Sequence, residues 1–480
     1  MKRRVDPTIL RRHTLAGLAL VLSGCILGPD FERPAAPAGA GYTAGEVSLP
    51  EAGPELQQRI LVGQRIARDW WNAFGSPQID DAVRLALADS PTVEASRATL
   101  AQALASLSVA RASLAPALDI DANASRETTR SDISSGSRSF FSVGPAVTYG
   151  PDLFGRVRRL VEQQSALAEF QQHELRAAYL SVSGNIVSQA LTIASLREQI
   201  RVIEDILAAD RSNIELVEIS LEAGKSARSD LLSARSQLAA DETLLPPLRR
   251  QLAAARHALA ILAGRSPAEW PVPDFDLGTL ALPTEIPLSV PAALVRTRPD
   301  ILAAESQLRA ANAAVGIATA NLYPSLTLSA DWTRQTSGGL FNDSVTVSSI
   351  GAGLTAPIFH ASALQAQREA ARAAYAAALA SYRQTVLISF GQVADALRAL
   401  EHDATLLAAQ YNALSTAEAS LALLRESYAA GRANLLQVLD AQRQVEQARL
   451  GYARARGQRF LDTAQLFAAM GGGWGESETP

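Results

Sequence analysis

The chain has 480 residues, with 44 Lys and Arg against 48 Asp and Glu and a formal net charge of −4. It therefore carries no basic excess that would mark nucleic acid as its main partner. Hydrophobic residues reach 48% but aromatics only 5% and charged residues 19%, so the apolar content is mostly Ala and aliphatic, a composition suited to closely packed helices. The single Cys excludes an intramolecular disulfide and a Cys-rich metal site.

At the N-terminus, Lys2, Arg3, Arg4, Arg11 and Arg12 precede an apolar run from Thr14 to Leu22 and the small residues Ser23 and Gly24. This is the layout of a secretory signal peptide, predicted over residues 1–24. The run is too short to cross a bilayer as a helix, and no other stretch reaches about 18 consecutive apolar residues. Leu22-Ser23-Gly24-Cys25 resembles a bacterial lipobox, which implies that Cys25 becomes an acylated N-terminus. Ile26 next to it, in place of Asp, resembles lipoproteins forwarded to the outer membrane. An ordinary signal with a chance Cys is the alternative. Residues 25–75 then form a lipidated extended segment.

Length alone predicts about three domains, but the chain is written twice at an offset of about 207 residues. Ser90-Pro91 through Ser113-Leu114-Ala115-Pro116 lies over Arg298-Pro299 through Asn321-Leu322-Tyr323-Pro324. Ala223-Gly224-Lys225 lies over Ala430-Gly431-Arg432, and Gly184 over Gly391. The two copies occupy 76–270 and 291–470, joined by a linker at 271–290 and followed by a flexible tail at 471–480.

Each copy predicts the same succession. A helical segment (77–114; 291–322) leads to a period-2 stretch in which Leu118, Ile120, Ala122 and Ala124 alternate with Asp119, Asp121, Asn123 and Ser125. In the second copy Leu326, Leu328, Ala330 and Trp332 alternate with Thr327, Ser329, Asp331 and Thr333. That is strand periodicity with one apolar and one polar face. A polar loop and a return strand complete hairpins over 117–149 and 325–356. Long proline-free helices follow at 156–222 and 361–429, each about 100 Å long at 1.5 Å per residue. Gly224 and Gly431 then break the chain, and return helices run over 229–263 and 434–469. Eleven Ala in residues 361–382 point to packing through small side chains; a solvated single helix or dimeric coiled coil is the other reading of such runs.

Strands of roughly ten residues with apolar-out, polar-in alternation match a transmembrane barrel; a half-buried sheet in a soluble sandwich also alternates. Four strands cannot close a barrel, and an open edge in lipid leaves backbone groups unpaired. Two chains would pool eight strands and three would pool twelve, and a conduit favours the larger ring because about eight strands are filled by their own side chains.

At this point the chain resembles the TolC-type outer-membrane efflux proteins, in particular the OprM/NodT-like lipoprotein branch. The resemblance is carried by Cys25 with Pro29-Asp30-Phe31-Glu32-Arg33-Pro34, Asp69-Trp70-Trp71 with Phe74, and Asp152-Leu153-Phe154-Gly155-Arg156. Arg298-Pro299-Asp300-Ile301 with Ala304-Glu305, Pro357-Ile358-Phe359 and Val438-Leu439-Asp440-Ala441-Gln442-Arg443 complete it. It implies an α+β membrane protein: a homotrimer with a 12-stranded transmembrane β-barrel, four strands from each chain, continued by a 12-helix periplasmic α-barrel with a mixed equatorial domain. It further implies a passive, gated exit duct for drugs or other small molecules, docked to a periplasmic membrane-fusion (adaptor) protein and an inner-membrane RND-type pump, and anchored in outer-membrane lipid through Cys25. Gly224, Lys225, Gly431 and Arg432 then form the adaptor-docking tip. Leu436, Asp440 and Arg443 share one helical face by spacing and match the family's closed entrance, with Asp230 from the first copy.

Three Asp440 side chains in a ring would repel one another unless Arg443 lies close; solvated pairing of Asp440 with Arg443 is the plainer alternative. In the first copy Ser233 and Ser236 stand opposite Asp440 and Arg443, and Gln437 replaces an acidic residue of TolC, which leaves a doubly acidic constriction in doubt. Asp119, Asp121 and Asp331 are expected in the barrel lumen, either lending mild cation preference or only wetting the bore.

No enzyme activity is predicted. Ala223-Gly224-Lys225-Ser226 lacks the first Gly of a phosphate loop, Gly351 and Gly353 lie in a strand rather than a dinucleotide turn, and the His residues have no ligand spacing. No cofactor or metal is expected. Two other functional readings remain beside the duct: a structural periplasm-spanning lipoprotein without channel activity, and a TolC-like channel for protein secretion.

Overall fold

A computed structural model describes residues 26–35, 41–45, 49, 57–130, 135–337 and 344–473. The expected signal peptide, Cys25 and residues 474–480 of the expected tail lie outside the described residues. The chain divides into two units. The first gathers the described residues up to Pro34 with 99–172 and 303–383; the second gathers 35–98, 173–302 and 384–480.

The first unit holds a four-stranded antiparallel sheet: β2 (Ala117–Arg130), β3 (Ser135–Tyr149), β5 (Ser325–Ser337) and β6 (Ser344–Thr355), in the order β2-β3-β5-β6. The strands run to 14, 15, 13 and 12 residues, longer than the roughly ten expected. The stretch expected as a polar loop, about 128–139, is ladder in its described part, with Thr128 opposite Ser137 and Arg130 opposite Ser135. Backbone pairing needs no apolar alternation, and Thr suits the pleat. Pairing between β3 and β5 skips Gly144 and Pro145, where proline has no N–H to give. Helix α2 (Pro91–Ala112) leads into the first hairpin and α7 (Pro299–Ala320) into the second, while α3 (Arg156–Glu222) and α8 (Ala361–Ala429) leave them.

A strap of N-terminal residues binds this same unit. Arg159, 4% exposed at its side chain, donates to the Leu27 and Gly28 carbonyls at 3.1 and 3.2 Å and to Asp30 at 2.9 Å. Arg33 pairs with Glu305 at 2.8 Å, the Arg309 guanidinium lies 5.5 Å from the Phe31 ring centroid, and Asn312 donates to the Pro29 carbonyl at 3.0 Å. Asp152 accepts from the Val157 and Arg158 N–H groups at 3.1 and 2.9 Å, satisfying donors that the start of α3 would otherwise leave open.

The second unit is built on helices α1 (Pro77–Asp89), α4 (Arg228–Glu242), α5 (Leu245–Leu262), α6 (Pro291–Thr297) and α9 (Leu435–Ala469), with parts of α3 and α8. A parallel pair joins β1 (Arg59–Val62) to β4 (Glu285–Leu288), tying the extended N-terminal segment to the linker. Trp70 packs edge-on against Phe467 with centroids 5.7 Å apart, and Phe74 sits 6.2 Å from Phe460. The helices approach through small residues: a Cβ on Gly457 would sit 2.1 Å from the Ser195 Oγ.

Three predicted helices are divided. The segment at 77–114 breaks at Ser90-Pro91, that at 291–322 breaks at Arg298-Pro299, and the return helix at 229–263 breaks at Thr243-Leu244 ahead of Pro246-Pro247. Proline cannot supply an interior helical N–H and disfavours helix in the residue before it.

Arg298 is a hub of the second unit. It is 7% exposed, donates to Asp300 at 2.9 and 3.1 Å and to the Ala469 carbonyl at 2.6 Å, and also reaches Gln392. Arg298→Met is expected to cost about 2–4 kcal/mol, because it removes at once the buried guanidinium's bonds to Asp300, Gln392 and the Ala469 carbonyl. Guanidinium unfolding in detergent checks this, and a loss below about 0.5 kcal/mol would contradict it.

Candidate functional site

The sheet sorts the strand residues by face. Leu118, Val147, Ala330 and Ile350 form one cross-strand row, and Asp119, Ala146, Asp331 and Ser349 form the next. Successive residues of a strand point to opposite faces, so these rows lie on opposite sides. Asp121, two residues beyond Asp119, shares the polar side. The Asp331 carboxylate accepts from the Ser349 hydroxyl opposite it. Among the described residues nothing covers the apolar side: Leu118 is 69% exposed, Ile120 78% and Ile350 91%. Val345 and Val347 depart from the pattern, lying on the polar side of β6 opposite Gln335 and Thr333. β2 and β6 are the two edges of the sheet.

The two helix reversals have the same local geometry. Gly224 and Gly431 take φ of 70° and 69°, the left-handed region that L side chains avoid. The N–H groups of Lys225 and Arg432 bond back to the Ser220 and Ser427 carbonyls, each at 2.8 Å, closing the helix ends. The return helices begin differently. Asn434 accepts from the Gln437 N–H at 2.9 Å while the Gln437 side chain accepts from the Asn434 N–H at 3.0 Å, a reciprocal cap. In the first copy Asp230 accepts from the Ala227 N–H at 3.0 Å. Gln437 and Asp230 are thus both engaged in capping.

Leu436, Asp440 and Arg443 lie together on the exposed side of α9. The opposite side, Val438, Ala441 and Val445, is buried against Leu421 of α8. Asp440 pairs with Arg443 and accepts from the Gln444 amide at 2.9 Å. The Arg443 guanidinium holds the Asp440 carboxyl below its ordinary range.

An outer membrane efflux protein signature matches residues 82–265 and again 290–472. The chain belongs to the outer membrane efflux protein family. The two matches fall on the two copies of the duplication. The chain is 30% identical over 475 residues to the pyoverdine export outer membrane protein OpmQ of Pseudomonas aeruginosa, covering 96% of this chain and 98% of that one. It is 29% identical over 477 residues to the toluene efflux pump outer membrane protein TtgF of Pseudomonas putida, covering 97% and 98%. Its fold is similar to that of the outer-membrane channel OprN, with a TM-score of 0.84, 26% identity and coverage of 94% of this chain and all of that one. No described helix is long and apolar enough to cross a membrane.

Proposed function

We propose that this efflux protein is the passive, gated outer-membrane exit duct of a tripartite pump, working as a homotrimer. The observation that carries this reading is the four-stranded sheet with an uncovered apolar face and two free edges. An unpaired edge in lipid costs several kcal/mol for each orphaned backbone group, and identical copies joined edge to edge remove that cost. With four strands of alternating direction, the β6 edge of one copy meets the β2 edge of the next antiparallel, so a ring of three has twelve strands and one unbroken hydrogen-bond pattern. Asp119, Asp121 and Asp331 then face the bore and keep it wet.

In the same arrangement Leu436, Asp440 and Arg443 turn their exposed face toward the same residues of the other copies and narrow the entrance, with Asp230 beside them. The reversals at Gly224-Lys225 and Gly431-Arg432 receive the adaptor, which couples the duct to an RND-type inner-membrane pump. Cys25 carries the lipid; the strap held by Arg159 ties the residues just after it to the start of α3, seven residues beyond the last residue of β3. The export of pyoverdine and toluene by relatives supports small molecules as cargo.

The purified protein in a planar bilayer is expected to show a low closed-state conductance. Leu436→Ser combined with Asp440→Ala is expected to raise it at least tenfold by removing the apolar plug and the charge pair at once. A double variant that conducts no more than the unaltered protein would overturn the gate, and an unaltered protein that never conducts in any state would overturn the duct.

A further inference from the structure

Three carboxyl groups from distant parts of the chain meet inside the second unit. Asp210 on α3, Asp241 on α4 and Glu446 on α9 each offer an oxygen, and these oxygens lie within 4.8 Å of one another. Asp210 is 3% exposed and Glu446 8%. Neighbouring amides satisfy only part of the cluster: Gln442 donates to Asp210 Oδ1 at 3.1 Å and Gln237 to Asp241 Oδ2 at 2.7 Å. Among the described residues Asp210 Oδ2 and both oxygens of Glu446 have no partner in good hydrogen-bond geometry, although the Gln442 side chain lies near Glu446.

The nearby cations do not fill the gap. Arg211 pairs with Glu242 at 3.2 Å, Arg449 with Glu418 at 2.7 Å, and Arg443 with Asp440. Buried carboxylates are ordinarily paired or bound to a metal.

We propose that Asp210, Asp241 and Glu446 bind one hard, calcium-sized divalent cation that staples α3, α4 and α9 together. The donors are all oxygen, with no thiolate or imidazole, which selects hard cations over soft ones. Oxygens on opposite sides of a calcium ion are separated by roughly 4.6–5.2 Å, so three oxygens within 4.8 Å of one another can share one ion. The unpartnered oxygens of Glu446 and Asp210 are the free ligand positions. Gln442 orients the site from outside: its amide donates to Asp210 while its carbonyl accepts from Asn213.

The test uses the full-length protein in detergent, stripped with EGTA and titrated calorimetrically with calcium chloride alone. Saturable binding of one ion per chain is expected, with a higher thermal midpoint. Glu446→Gln and Asp210→Asn, close isosteres that remove charge repulsion, are expected to weaken binding at least tenfold and to abolish the calcium-dependent rise in the midpoint. Asp119→Asn, on the sheet, is expected to leave both unchanged. Absence of saturable binding by the unaltered protein at millimolar calcium would overturn the site, as would full binding by both cluster variants. The unaltered protein alone decides the matter if a variant fails to fold.

Discussion

A four-stranded sheet whose apolar face and two edges lack partners among the described residues of its own chain is the constraint on which the account turns. Alternate residues in the helix-proximal parts of the strands, among them Leu118 and Ile120 on β2 and Ile350 and Leu354 on β6, present apolar surface outward, and soluble proteins rarely leave such a patch uncovered. Water is a poor neighbour for that face and lipid is a poor neighbour for the open edges. A closed ring of copies in a bilayer satisfies both, because lipid covers the outside and each edge finds the next chain. In the proposed ring the polar row through Asp119 and Asp331 would form the inner wall, and a channel would follow from closure without further specialised chemistry.

Duplication explains how one chain supplies an even number of strands, yet the copies have diverged where they reverse direction. Gly224 and Gly431 close their helices through equivalent bonds, but the second copy restarts on the Asn434–Gln437 cap and the first on Asp230. The residues available for an entrance therefore differ: Asp440 and Arg443 in one copy stand opposite Ser233 and Ser236 in the other. In the proposed entrance the charged contribution would fall mainly on α9, whose other side is committed to packing against α8. Small residues such as Gly457 allow that helix to lie close to its neighbours, in keeping with an interior of few aromatics.

What was legible in the sequence was whatever repeats locally. Alternation along 118–125 and 326–333 marked the strands and their faces, and glycine after a long proline-free run marked both reversals. The helix breaks at Pro91, Pro299 and Pro246 were also written in the chain, but they were masked by the strong helical composition around them. The pairing of β1 with β4 was hidden because each strand has four residues, too few for a periodic signal. Arg298 was read as part of a family motif, but its role as a buried donor to partners on two other helices depends on tertiary contacts. The meeting of Asp210, Asp241 and Glu446 carries no spacing signature at all, since three separate helices bring them together.

Amide hydrogen exchange on the detergent-extracted assembly tests closure of the sheet most directly. On β2 (Ala117–Arg130) and β6 (Ser344–Thr355), the amides that point away from β3 and β5 have no partner in a single chain. If copies join edge to edge, those amides exchange as slowly as the ones in the central strands. Rapid exchange confined to the outward amides of both strands would mean that the edges stay open, and would contradict the account.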